Sequence, residues 1–188
     1  MSPHQIRQFY RRNLPHYHIS GAEYFITTRL SGTLPIKDQP FSFAEMEAHL
    51  HQTIEGLTWL ANPKVAQIVW DALMYRDGKV YDLHAACIMS NHLHLVFRHL
   101  VDSSERGPLR NNSLPGILHS FKRKTAVDAN KVLKRKGVFW QDESFDRVIR
   151  SQTEWEKIIY YTLNNPVKTS LVKNWQDWPW TYCKWSRT

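Results

Sequence analysis

Two histidines one residue apart, in His92-Leu93-His94, have the clearest chemical use of any residues in this chain. The run from His92 to His99 reads as a strand, and on a strand residues i and i+2 point to the same face. His92 and His94 then stand side by side, while Leu93 and Leu95 point the other way, into a core. Two imidazoles so placed can hold one divalent ion, which polarises a phosphate oxygen and stabilises the charge that develops in phosphoryl transfer. A third ligand must come from elsewhere in the chain. A surface pair without a metal has the same spacing, so spacing alone leaves both readings open. The other histidines, His84 and His99 among them, read as ordinary surface or core residues.

A second chemical feature lies downstream. Between Phe121 and Gly137 the sequence carries Lys122, Arg123, Lys124, Lys131, Lys134, Arg135 and Lys136 against a single acid, Asp128. A helix of this kind neutralises several phosphates, which makes binding steeply dependent on salt. Such contacts fix position without carrying sequence information. The alternative is a solvated helix face. The formal net charge of +8 favours an acidic partner, of which nucleic acid is the commonest.

These residues need elements to hold them. Tyr24 to Leu30 is aromatic and β-branched and predicts a strand, ended by Gly32 and Pro35. Ser42-Phe43-Ala44-Glu45 is a capping box, followed by Met46, Leu50, Ile54 and Leu57 at helical spacing. Asn62-Pro63 caps a second helix, with a stripe of Val65, Ile68, Val69, Ala72 and Leu73. Asp77-Gly78 marks a turn. Val80 to Met89 and His92 to His99 then predict an antiparallel hairpin. Val101 to Asn112, with Gly107-Pro108, reads as a loop. Ser113 opens a long helix running to about Lys136 and stopping at Gly137. A last helix runs from about Thr153 to Asn164 and is ended by Pro166. The order predicts an α+β layout: a ferredoxin-like antiparallel sheet with helices on one face.

A chain of 188 residues fits one domain spanning 1–188, with a Trp-rich segment at about 167–188. Cys87 and Cys183 read as free thiols of a reducing compartment. Met1 to Gln5 lacks a signal peptide's apolar stretch, and no apolar run is long enough to cross a bilayer. The expectation is a soluble cytoplasmic protein with no membrane partner and no small-molecule cofactor.

Taken together, these segments resemble the REP-associated tyrosine transposases. That family belongs to the HUH superfamily, which also contains the single-tyrosine transposases of insertion sequences. Arg12-Asn13-Leu14-Pro15-His16 and Tyr24 to Leu30 look like the family's opening. Met89-Ser90-Asn91-His92-Leu93-His94-Leu95-Val96-Phe97 looks like its histidine strand, with serine in place of a usual proline. His119-Ser120-Phe121-Lys122 and Ala126 to Asn130 are similar to its basic helix. Gly137-Val138-Phe139-Trp140-Gln141 and Tyr161-Thr162-Leu163-Asn164-Asn165-Pro166-Val167-Lys168 are similar to two late motifs. The resemblance implies attack on single-stranded or hairpin DNA, dependent on Mg²⁺ or Mn²⁺. A tyrosine hydroxyl forms a covalent 5′-phosphotyrosine, and strand transfer or resealing follows.

The resemblance also directs attention to a departure. After the Trp-Gln pair the family's pattern leads to the catalytic tyrosine, and here that slot is Ser144, followed by Phe145. Ser144 has a hydroxyl but is a poor leaving group. Tyr160 and Tyr161, on the last helix, are the alternative nucleophiles; Tyr161 matches a family position read as structural. Asp146 is the candidate third metal ligand, or else an ion-pair partner of Arg147 or Arg150. The tryptophans of the tail either stack on bases or clamp the tail to the domain. Three functions follow: a metal-dependent DNA strand transferase, a catalytically inactive hairpin-DNA-binding descendant of one, and an RNA- or protein-binding ferredoxin-like module.

Overall fold

The computed structural model describes residues 7–11, 15–33, 57–100 and 113–186. A two-stranded antiparallel hairpin, β1 (Arg7–Arg11) and β2 (Pro15–Ile19), stands beside a five-stranded sheet. The sheet contains β3 (Glu23–Arg29), β4 (Tyr81–Ile88), β5 (His92–His99), β6 (Phe145–Val148) and β7 (Thr181–Cys183). Its order is β6-β3-β5-β4-β7, and every pairing is antiparallel. The described helices are α1 (Pro63–Met74), α2 (Leu114–Val132), α3 (Gln152–Leu163) and the single turn α4 (Asn165–Lys168). The capping-box helix expected at Ser42 and the loop expected at 101–112 lie outside the described residues.

β3, α1, β4, β5, α2 and β6 form a βαββαβ unit, the ferredoxin-like layout expected from the sequence, with β6 as a strand that the predicted elements lacked. Its two helices share one face. There Val65, Val69 and Leu73 of α1 and Ile117, Phe121 and Ala129 of α2 pack on Tyr24, Ile26, Leu93, Leu95 and Phe97. Helix α3 lies on the other face, where Ile159 and Leu163 pack on Phe25, Ala85 and Val96. Helices on one face therefore describe the βαββαβ unit, and α3 adds a third layer. The reason is visible in β5, where seven of eight residues are buried. A strand apolar on both sides needs cover on both sides.

Local chemistry sets the boundaries. Asn62 caps α1 by accepting from the Lys64 amide, with Pro63 in the first turn. Ser113 caps α2 in the same way, through the Gly116 amide. The predicted end of α2 near Lys136 is too late. Lys134 turns into the left-handed region at φ +51°, its amide bonding Lys131 O, while the Arg135 amide reaches Asn130 O. This pair of bonds is a Schellman ending, here with lysine where glycine is usual. Pro166 also acts differently from expectation. The α3 ladder stops at Asn164, and Pro166 sits in the first turn of α4 rather than ending all helical structure.

The hairpin β1-β2, strand β6 and strand β7 are additions to the predicted elements. The tail is packed: β7 pairs with β4, Trp178 Nε1 donates to Ile88 O at 2.9 Å, and Trp180 meets Trp70 edge-on. A register shift between Leu83 and Ala85 leaves His84 as the extra residue of β4. Beyond it, Cys87 faces the same side as His94.

Candidate active site

Register assigns the faces. Opposite residues of an antiparallel pair share a face, and β3 meets β5 with Arg29 opposite His92, Thr27 opposite His94 and Phe25 opposite Val96. One row of polar groups therefore lies on the α3 side of the sheet, as the His-x-His spacing predicts. His92 and His94 are 1% and 0% exposed, with ring centroids 4.7 Å apart. They are buried, not surface, histidines.

The neighbours of each ring orient it. His92 Nδ1 lies 2.6 Å from Asn91 Oδ1, an atom that only accepts, so Nδ1 carries a proton. His94 Nε2 lies 3.1 Å from Asn165 Nδ2, an atom that only donates, so Nε2 carries the lone pair. Its Nδ1–H then donates to Thr27 Oγ1 at 2.9 Å. Each ring is held through Nδ1, which leaves Nε2 turned to other groups, in His94 to the Asn165 amide. Fixing one nitrogen to define the other is how ligating histidines are oriented.

Tyr161 completes this group. Its ring meets His94 at 5.4 Å and Phe25 at 6.0 Å, both edge-on. Asn165 Nδ2 approaches its hydroxyl at 3.4 Å, and Lys168 Nζ stands 4.3 Å from its ring centroid. Tyr161 and Asn165 are four residues apart across the α3–α4 junction, which places both over the histidines. Tyr160, one residue earlier, is 67% exposed and turned away. Asn165 is buried, and its Oδ1 has no hydrogen-bond partner.

The other candidates lie elsewhere. Asp146 pairs with Ile26 in register and therefore faces the α1–α2 side, opposite the histidines. Its Oδ2 is 3.5 Å from His18 Nε2. The expectation that Asp146 joins His92 and His94 as a third ligand is corrected by the period of two along β6. Among the described residues no group of three or more His, Cys, Asp or Glu could hold a metal ion. Ser144, two residues before Asp146, is 6% exposed and lines a cleft of about 810 Å³ with Asp146, His119 and Lys122. Its hydroxyl is buried without a hydrogen-bond partner. Ser144 thus stands on the wrong face to act beside the histidines.

The basic set divides. Lys122 Nζ donates to the carbonyls of Gln141 and Asp142 at 2.8 and 2.9 Å, and burial lowers its pKa to about 8. It joins α2 to the segment before β6 and is not an outward cation. Arg135 stacks over Trp59 at 3.6 Å and bonds the Val138 carbonyl. Lys124 and Lys131 share Asp128, at 2.8 and 3.5 Å. Arg123, Lys124, Lys131, Lys134 and Lys136 are exposed.

No helix among the described residues is long and apolar enough to cross a membrane. No protein-family model matches the chain, and no curated protein matches it. Among solved structures, it is similar to one described as the REP-associated tyrosine transposase bound to a REP hairpin. The two are 19% identical with a TM-score of 0.57, over 92% of this chain and 80% of that one. The sequence motifs and this structural likeness point the same way: the chain resembles the REP-associated tyrosine transposases and shares their α+β fold.

Proposed function

We propose that this protein binds single-stranded or hairpin DNA and cuts and rejoins it on the α3 face of the sheet, with Tyr161 as the nucleophile. The observation that carries the proposal is the meeting of Tyr161 and Asn165 with two oriented histidines. A DNA partner is supported by the fold likeness to a transposase bound to a hairpin and by the net charge of +8.

In this reaction the Tyr161 oxygen attacks a backbone phosphorus and loses its proton. The P–O3′ bond breaks, the departing oxygen takes up a proton as a 3′-hydroxyl, and the 5′ phosphate remains esterified to Tyr161. Attack by a 3′-hydroxyl on that ester restores the phosphodiester and expels the phenolate. A phenol, with an ordinary pKa of about 10, leaves far more readily than an aliphatic alcohol. That is why a tyrosine suits the second step, for which the Ser144 hydroxyl is a poor leaving group. The Asn165 amide N–H and the Lys168 ammonium face the oxygen and ring on which negative charge gathers. Phe25 packs edge-on against the ring and fixes its direction.

His92 Nε2, and His94 Nε2 with Asn165 Oδ1 once that amide turns its oxygen rather than its Nδ2 toward the ring, are the atoms that would hold Mg²⁺ or Mn²⁺. This donor set of two imidazoles and one amide oxygen contains no carboxylate, and the partnerless Oδ1 supports the fit. When bound, such an ion neutralises charge on a phosphate oxygen.

The test is covalent capture. End-labelled DNA hairpins incubated with the protein and Mn²⁺ are expected to give a labelled band at protein size on a denaturing gel. Tyr161→Phe and His92→Ala should lose that band, and Ser144→Ala should keep it. A band that survives in Tyr161→Phe sinks the assignment. Hairpin binding in a native gel without any adduct leaves the inactive DNA-binding reading in its place.

A further inference from the structure

The polar row on the α3 face does not end at the histidines. Arg29 is opposite His92 in register, on the same face, at the end of β3. Cα atoms of such partners are about 4.5–5.5 Å apart, so the Arg29 side chain leaves the backbone beside His92. It is half-buried, and its Nε is buried without a hydrogen-bond partner. Glu143 attracts it electrostatically. Other arginines are differently placed. Arg76 bonds Ala72 O and Ser120, Arg98 pairs with Glu23, Arg135 bonds Asn130, and Arg147 pairs with Glu154.

A partly buried guanidinium is costly unless a contact offsets its desolvation, and the buried Nε of Arg29 has no such contact. Its planar fork matches two oxygens of one phosphate. We infer that Arg29 grips the non-bridging oxygens of the phosphodiester that reaches His92 and His94. This rests on the DNA reading above and adds to it a residue outside the histidine, tyrosine and asparagine group. Glu143 supplies the competing explanation, in which Arg29 serves only to hold the segment before β6.

A binding experiment separates the two, in a Tyr161→Phe background that leaves the DNA uncut. Hairpins carrying a single neutral methylphosphonate are walked through the hairpin and its single-stranded flank, and affinity is read by fluorescence anisotropy. With Arg29 present, neutralising one particular phosphate is expected to weaken binding about tenfold. With Arg29→Ala that same change should cost less than twofold, and Arg29→Lys should lie between. Glu143→Gln should leave the pattern intact. The inference is overturned if Arg29→Ala retains the wild-type sensitivity at every position, or if Glu143→Gln reproduces the loss. Failure of the background protein to bind any hairpin or single strand overturns the DNA reading itself, and this inference with it.

Discussion

The two faces of the sheet use their polar groups in opposite ways. On the α3 face, polar side chains point at one another: Asn91 and Thr27 orient the histidines, and Asn165 bridges His94 and Tyr161. On the α1–α2 face, polar groups collect at the rim, around a cleft that holds Ser144, Asp146 and Lys122. There Lys122 satisfies backbone carbonyls, while the Ser144 hydroxyl is buried without a partner. Orientation is what distinguishes the first set from the second. The first face fixes directions, and the second fixes a loop.

The sharpest way to break this contrast is to move the hydroxyl across the sheet. Tyr161→Phe should lower adduct formation by roughly 10³-fold or more, and adding Ser144→Tyr should recover none of it. Recovery in the double variant, read on the same denaturing gel, would mean that the second face is the reactive one. A smaller effect is expected from the partners that orient the histidines. Thr27→Val leaves His94 Nδ1–H without its acceptor, and Asn165→Ala removes the contacts to His94 and Tyr161. Each should cost roughly 10–100-fold in cleavage rate, with hairpin affinity changed far less. Single-turnover rates and anisotropy titrations check the split.

A third comparison concerns the outward cations of α2 and its end. Replacing Arg123, Lys134 and Lys136 one at a time by glutamine should each reduce the slope of log Kd against log salt by about one, if each meets a phosphate. Lys122→Met should leave that slope unchanged, because its ammonium is turned to the Gln141 and Asp142 carbonyls.

The smallest effect is on stability. The folded pKa of Lys122 is lowered to about 8 from an ordinary 10.5, mainly by burial. The unfolded chain therefore binds more protons than the folded one between those values, and the linkage slope makes stability rise with pH across that window. Below it, both states are charged and the penalty is constant. Relative to Lys122→Met, the wild type should gain stability between pH 8 and 10 in urea titrations. A parallel pair of curves would remove Lys122 from the buried set.

These contrasts also explain what could be read in advance. The βαββα part of the unit was legible because its signals are local: Asn62-Pro63, Asp77-Gly78, Ser113 and the two-residue period of β5. The histidine face was legible for the same reason. Which of Ser144, Asp146 and Tyr161 shares that face was not. Their roles depend on which side of the sheet the segment after Trp140 and helix α3 fall, and that is set by long-range pairing of β6 with β3 and by the packing of α3 on Phe25 and Val96. The family's pattern after Trp140-Gln141 pointed to position 144, while the ring that meets His94 belongs to Tyr161. The four-residue interval between Tyr161 and Asn165 was the available signal, since it sets two polar groups one helical turn apart. Lys122 was misread as an outward cation because a run of basic residues does not reveal which member turns inward.

The strand order has a consequence for synthesis. The three inner strands β3, β5 and β4 are all complete once His99 has been translated, yet both flanking strands, β6 and β7, come later in the chain. At about 5–20 residues per second, a nascent chain carries a three-stranded sheet with two bare margins for some seconds. Those margins are templates for pairing with other chains. Their eventual covers are only four and three residues long, too short to be templates themselves. The finished molecule is thus guarded where the growing one is exposed, and slow translation between β5 and β7 is the interval in which a holding chaperone would matter most.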